Sequence, residues 1–165
     1  MTEHTYEVAV RWTGDRGVGT TGYRDYGRDH VITAAGKADV LGSADPVFRG
    51  DRDRWNPEEL LLASLTQCHM MSYLYAATKR GFTVLAYEDA STATLDVHTD
   101  ATGEVTGVVL RPVVTIREAS RVDDALAAHA DANALCFIAR SVAFPVHHDP
   151  EIRVLGADAP TDTAD

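Results

Sequence analysis

Two thiols stand out in a chain of 165 residues, Cys68 in NPEELLLASLTQCHMM and Cys136 in ALCFIA. As thiolates they could attack an electrophile, ligate a metal or pair with each other. In a reducing compartment a permanent staple between cysteines this far apart in sequence is not the expectation. They are therefore buried spectators, metal ligands or reactive groups, and a lone cysteine inside an apolar helix is ordinarily a small hydrophobe. His129 precedes Cys136 by two helical turns and shares its face. A Cys68–His129 pair acting as a hydrolase or acyl transferase is one candidate chemistry. A metal set would draw on Cys68, His69, His129, Cys136, His147 and His148, but no two of these show CxxC or HxxxH spacing. His147 and His148, just after a proline, read as a solvated loop.

A reactive thiolate needs a cation, because burial disfavours its charge. No Lys or Arg lies within two helical turns before Cys68. The cation must come from elsewhere, and the preceding loops offer Arg24, Arg28, Arg49, Arg52 and Arg54. A solvated side chain is the ordinary fate of each. Arg49, in the apolar-flanked VFRG, least fits that description.

The elements that would position these groups are legible. TYEVAVRW at 5–12 reads as a first strand, followed by a Gly-rich loop. Residues 22–36 form a loop feeding a second strand, and 37–54 a short strand and an irregular polar loop. Asn56 is a good N-cap, Pro57 suits the first helical position, and Glu58 and Glu59 complement the helix dipole. Glu59 completes a capping-box spacing with Asn56. This helix runs to Lys79-Arg80 and stops at Gly81. It is apolar nearly all round, as a central buried helix is. Residues 83–99 and 104–117 read as a long hairpin. An Ala-rich helix opens at Asp123 or Asp124, contains Cys136 and ends before Pro145. EIRVL at 151–155 is a last strand. The order of elements gives an α+β fold, with antiparallel sheet around two main helices. It is one domain over residues 1–155, with a disordered tail at 156–165.

The net charge of −10, from 15 basic and 25 acidic residues, argues against nucleic acid and anionic membranes. No apolar run approaches a membrane span, and the N-terminus lacks signal-peptide features, so a cytoplasmic protein is expected.

The stretch NPEELLLASLTQCHMMSYLYAATKRG resembles the central helix of the OsmC/Ohr family of thiol peroxidases. The resemblance extends through WTGDRGVGTTGYRDYGRDH, the long hairpin and CFIARSVAFPV, covering roughly residues 5–155, and is nearer the OsmC-like branch. It implies an intertwined homodimer that reduces organic hydroperoxides without metal or organic cofactor. By position, Cys68 would be the peroxidatic cysteine and Cys136 the resolving one. Glu58 would be the glutamate that steadies the activating arginine, which maps to Arg49, with Arg28 as the alternative. A lipoyl or thioredoxin-like dithiol would reopen the disulfide. One departure is Phe137, where better-known members carry proline after the resolving cysteine. Glu58 and Cys68 stand ten residues apart, a rise of about 15 Å on one helix. A second copy, packed antiparallel, could bring its Glu58 to this Cys68. A non-catalytic ligand-binding dimer with inert thiols is the remaining alternative.

Overall fold

The structure is a computed structural model and describes residues 2–156. The tail expected to be disordered lies outside the described residues, apart from Gly156. By internal contacts the chain divides into two compact units, residues 1–61 and 62–165.

The first unit carries a three-stranded antiparallel sheet, β1 (Ala9–Trp12), β2 (His30–Thr33) and β3 (Val40–Gly42), in that spatial order. Its interior is polar. Ser43 is fully buried; its hydroxyl donates to Asp29 Oδ1 (3.0 Å) and accepts from the Asp51 amide (3.0 Å). Gly14 lets two loops touch, since a Cβ there would stand 2.1 Å from the Gly27 carbonyl oxygen. The unit ends in the first turn of α1 (Pro57–Arg80). There the capping box forms as its spacing predicts. Asn56 Oδ1 accepts from the Glu59 amide (2.7 Å), and the Glu59 carboxylate accepts from the Asn56 amide (3.1 Å).

In the second unit α1 continues to Gly81, whose φ of 75° is the left-handed stop. The hairpin is real but broken in each arm. β4 (Val84–Asp89) pairs with β7 (Pro112–Ile116), and β5 (Thr92–Val97) pairs with β6 (Gly103–Leu110), each with a register shift. Two parallel strands complete the sheets: β8 (Val146–His148) beside β6, and β9 (Glu151–Val154) beside β7. The sheets are thus β4-β7-β9 and β5-β6-β8, and both are mixed rather than purely antiparallel.

Two further expectations, on the second helix and on His147 and His148, require correction. The second helix, α2 (Val122–Leu135), stops short of Cys136, which is extended at φ −70°, ψ 108° and caps its end. Its amide still bonds back to the Ala132 carbonyl (2.8 Å), and a 3₁₀ turn follows at Ala139–Ser141. His147 and His148 lie in strand β8 and not in a loop.

Two cores result. Tyr73, Ala76 and Ala77 of α1 pack with Ala125, Ala128 and Ala132 of α2 and with Phe82, Val114 and Ile116. Leu65 packs with Val108 and Leu110. The alanines give α2 a smooth buried face. The α1 helix is not buried all round: Met71 is 57% and Tyr75 53% exposed.

Candidate functional site

In the second unit, side-chain contacts form a seam between α1 and α2. Tyr73 Oη donates to the Ala125 carbonyl (3.0 Å), and His69 Nε2 meets His129 Nδ1 at 3.1 Å. Arg80 Nε pairs with Asp131 at 2.7 Å. Cys136 ends the seam beside Cys68, and both thiols are free. Cys136 is 1% exposed, and burial pushes its thiol up to about 11. The hydrogen bond and charge of Cys68 add to the rise; donation from the Ala139 amide to its sulfur (3.4 Å) opposes it. The reactive-type side chains are thus brought together, with Cys68 half-buried.

Beside the seam lies a cluster of rings. The His69 and His129 planes are within 8° of each other, and the His69 ring centroid is 4.4 Å from that of His148. Tyr73 stacks on His129 at 4.2 Å. Burial first, then the neighbouring histidines, lowers His69 from 6.5 to about 3. Burial, then His148, lowers His129 to about 4. His148 is lowered by burial, partly offset by Asp89. His69 Nδ1, His129 Nε2, His148 Nε2 and Asp89 Oδ2 are buried with no hydrogen-bond partner among the described residues. No group of three His, Cys, Asp or Glu among those residues is placed to hold a metal ion. Neither ring nitrogen of His129 makes a hydrogen bond to a thiol among the described residues. Sequence reasoning named His148 as a candidate metal ligand but placed it in a solvated loop, and it missed Asp89. The alternation that puts His148 on the inner side of β8 spans only three residues, too few to be seen as a strand.

The first unit gathers the arginines. A cavity of about 480 Å³ is lined by Arg16, Arg28, Arg49 and Arg52, among other residues, with Asp15, Asp29 and Asp51 in its wall. Arg28 is committed to its own loop. It donates to the Tyr26 carbonyl (2.6 Å) and the Tyr23 carbonyl (2.9 Å), and stacks on both rings at 4.2 and 4.3 Å. Arg54 is committed too, pairing with Asp29 at 3.6 Å and Asp51 at 3.9 Å. Arg24 contributes its carbonyl, which accepts from Arg16. Arg49 sits 5.8 Å over the Tyr23 ring, and its guanidinium has no hydrogen bond or ion pair among the described residues. Its φ of 69° lies in the left-handed region, where a side-chain-bearing residue is uncommon and strained. Glu58 is half-buried in the first turn of α1. No ion pair joins it to Arg28 or Arg49 among the described residues.

No helix among the described residues is long and apolar enough to cross a membrane. No curated protein matches the chain. Among solved structures it is similar to an OsmC-like protein of unknown function from Vibrio cholerae. That match has 30% identity and a TM-score of 0.78, covering 91% of this chain and 99% of the other. At 17% identity and TM-score 0.66, it shares its fold with an organic hydroperoxide resistance protein from Legionella pneumophila, covering 92% of this chain and all of that one. At 19% identity and TM-score 0.61, it shares it with the organic hydroperoxide resistance protein OhrB of Bacillus subtilis, covering 91% and 98%. The OsmC-like protein family model matches residues 50–151, more than half of the sequence and the stretch that carries both thiols; the chain belongs to that family.

Proposed function

We propose that this protein is a thiol peroxidase that reduces organic hydroperoxides, with Cys68 as the attacking residue and Cys136 as the resolving one. The observation that carries the reading is the meeting of two free thiols, on α1 and at the end of α2, close enough to act on each other. Family membership supports it, as do the organic hydroperoxide resistance proteins that share the fold.

In the first step the Cys68 thiolate attacks one peroxide oxygen. An S–O bond forms, the O–O bond breaks, and the alkoxide leaves as an alcohol after taking a proton. In the second step the Cys136 sulfur attacks the Cys68 sulfenic acid. The S–S bond forms, the S–O bond breaks, and hydroxide departs as water with the proton from Cys136. A dithiol of the lipoyl or thioredoxin class returns two electrons and reopens the disulfide. Arg49 is the better candidate for the activating cation, because the donors of Arg28 already serve two carbonyls. In this reading Glu58 holds that arginine, and the working unit is a homodimer.

The hydrolase alternative loses ground, because His129 Nδ1 is spent on His69. Mass spectrometry after one equivalent of cumene hydroperoxide tests the proposal. The expected product is an intramolecular Cys68–Cys136 disulfide, lighter by two hydrogens, with cumyl alcohol released. A protein recovered with both thiols intact refutes it.

A further inference from the structure

Fast closure of the disulfide requires α1 and α2 to hold one rotational setting, and the alanine face leaves that setting to a few directional contacts: Tyr73 on the Ala125 carbonyl and Arg80 on Asp124 and Asp131 towards one end, and the His69–His129 pair towards the thiols. The buried face of α2 is Ala125, Ala128 and Ala132, fully buried and nearly featureless. Dispersion between smooth surfaces is non-directional, so small rotations or slides of α2 cost little. A buried polar contact is directional, and single buried polar residues are used elsewhere to fix helix register. His69 and His129 form such a contact, at 3.1 Å with near-coplanar rings, at 1% and 4% exposure. Its placement matters. His69 directly follows Cys68 on α1, and His129 lies two turns before Cys136 on α2. The hydrogen bond therefore joins α1 directly beside Cys68 to α2 seven residues before Cys136.

We propose that His69 and His129 are positioning residues, whose hydrogen bond sets the approach of the Cys136 sulfur to the Cys68 sulfur. This rests on reading the two cysteines as a working pair. Among the described residues no ring nitrogen of either histidine hydrogen-bonds a thiol; their effect passes through helix register. The orphaned outer nitrogens of both rings fit this account, since the buried side chains keep the inter-ring bond while leaving other polar atoms unsatisfied.

The test is the thiol–disulfide equilibrium of the intact protein against reduced and oxidised glutathione. It reads the effective concentration of one thiol at the other and needs no peroxide. The His69→Leu/His129→Leu double variant leaves no half of the pair buried and unpaired. It is expected to melt no lower than wild type, while the effective concentration falls at least tenfold. That corresponds to a potential less negative by about 30 mV. His129→Asn places an amide where Nδ1 stood and should keep the wild-type value. His129→Gln carries its amide to the position of Nε2 and should behave like the double variant. A double variant at the wild-type value, or equal values for the asparagine and glutamine variants, overturns the proposal. The asparagine–glutamine contrast decides it if the double variant does not fold. Hydroperoxide consumption by wild type is measured in parallel. If that is absent while the equilibrium series follows expectation, the peroxidase reading falls and the positioning role stands.

Discussion

A buried thiol pushed up to about 11 suits the second attacker better than the first, because it keeps its proton until a leaving group can take it. Cys68→Ser should therefore abolish hydroperoxide consumption. Cys136→Ser should consume one equivalent, stall as a dimedone-reactive sulfenic acid and overoxidise to sulfinic acid in excess peroxide. Sustained turnover of Cys136→Ser with a dithiol would remove Cys136 from the mechanism. The strained, uncommitted Arg49 and the stacked Arg28 differ enough to separate. Arg49→Ala should slow iodoacetamide alkylation of Cys68 at neutral pH, and Arg28→Ala should act mainly on thermal stability. The reverse result assigns the cation to Arg28. The histidine cluster gives a pH signature whose sign is fixed. His69 and His129 titrate at about 3 and 4 when folded and near 6.5 when unfolded, so the unfolded chain binds more protons between those values. Their contribution is complete above pH 6.5 and is lost as pH falls towards 4, at up to about 1.4 kcal/mol per pH unit for each ring. His148, Asp89, Tyr73 and Tyr87 surround them, and only Asp89 favours a protonated neighbour, His148. The urea midpoint should drop between pH 7 and 5, above the carboxylate range, and the leucine double variant should flatten that slope. An equal slope in both proteins would mean that these rings are not buried in their neutral form.

The helix that carries Cys68 is written plainly in local chemistry: Asn56 caps, Pro57 starts, Gly81 stops. Asn56→Ala removes the 2.7 Å bond to the Glu59 amide and should cost about 1 kcal/mol in a urea titration. An unchanged midpoint would show that the first turn is held by other means. The hairpin was equally legible as two Val- and Thr-rich runs, because β propensity and a turn signal agree there. What the sequence obscured were features set by non-local pairing. Strand β8 is three residues long and exists because β6 offers it a parallel edge. The end of α2 was also obscured. ALCFIA carries no Gly or Pro to stop a helix, yet the backbone turns extended at Cys136, so the thiol sits on a cap. Phe137, 78% exposed, follows that turn. Of the candidate site, the two thiols could be picked out, whereas the aspartate and third histidine beside the seam depend on pairings between strands distant in sequence.

Each unit, taken by itself, presents apolar surface that a single copy leaves in water. In the first, Tyr6, Val8 and Val10 are 64–89% exposed along and before β1, and every residue of β1 is exposed. In the second, Met71, Leu74 and Tyr75 form an exposed face of α1. Single exposed apolar residues are ordinary, but a bare strand face and a bare helix face on a chain of this size point to partner contacts. A second copy is the economical occupant, since two-fold self-association covers the same patch on both subunits. It also answers the spacing of Glu58 and Cys68, which one continuous helix separates by about 15 Å of rise. A partner's first turn could then supply the carboxylate that the arginine lacks. Light scattering at micromolar concentration should give twice the chain mass. Met71→Glu/Leu74→Glu places two charges in the proposed contact and should shift the protein to monomer. If the site is shared between copies, hydroperoxide turnover falls with the dimer fraction on dilution. A stable wild-type monomer with full turnover would sink the shared site and leave the chemistry of Cys68 to one chain.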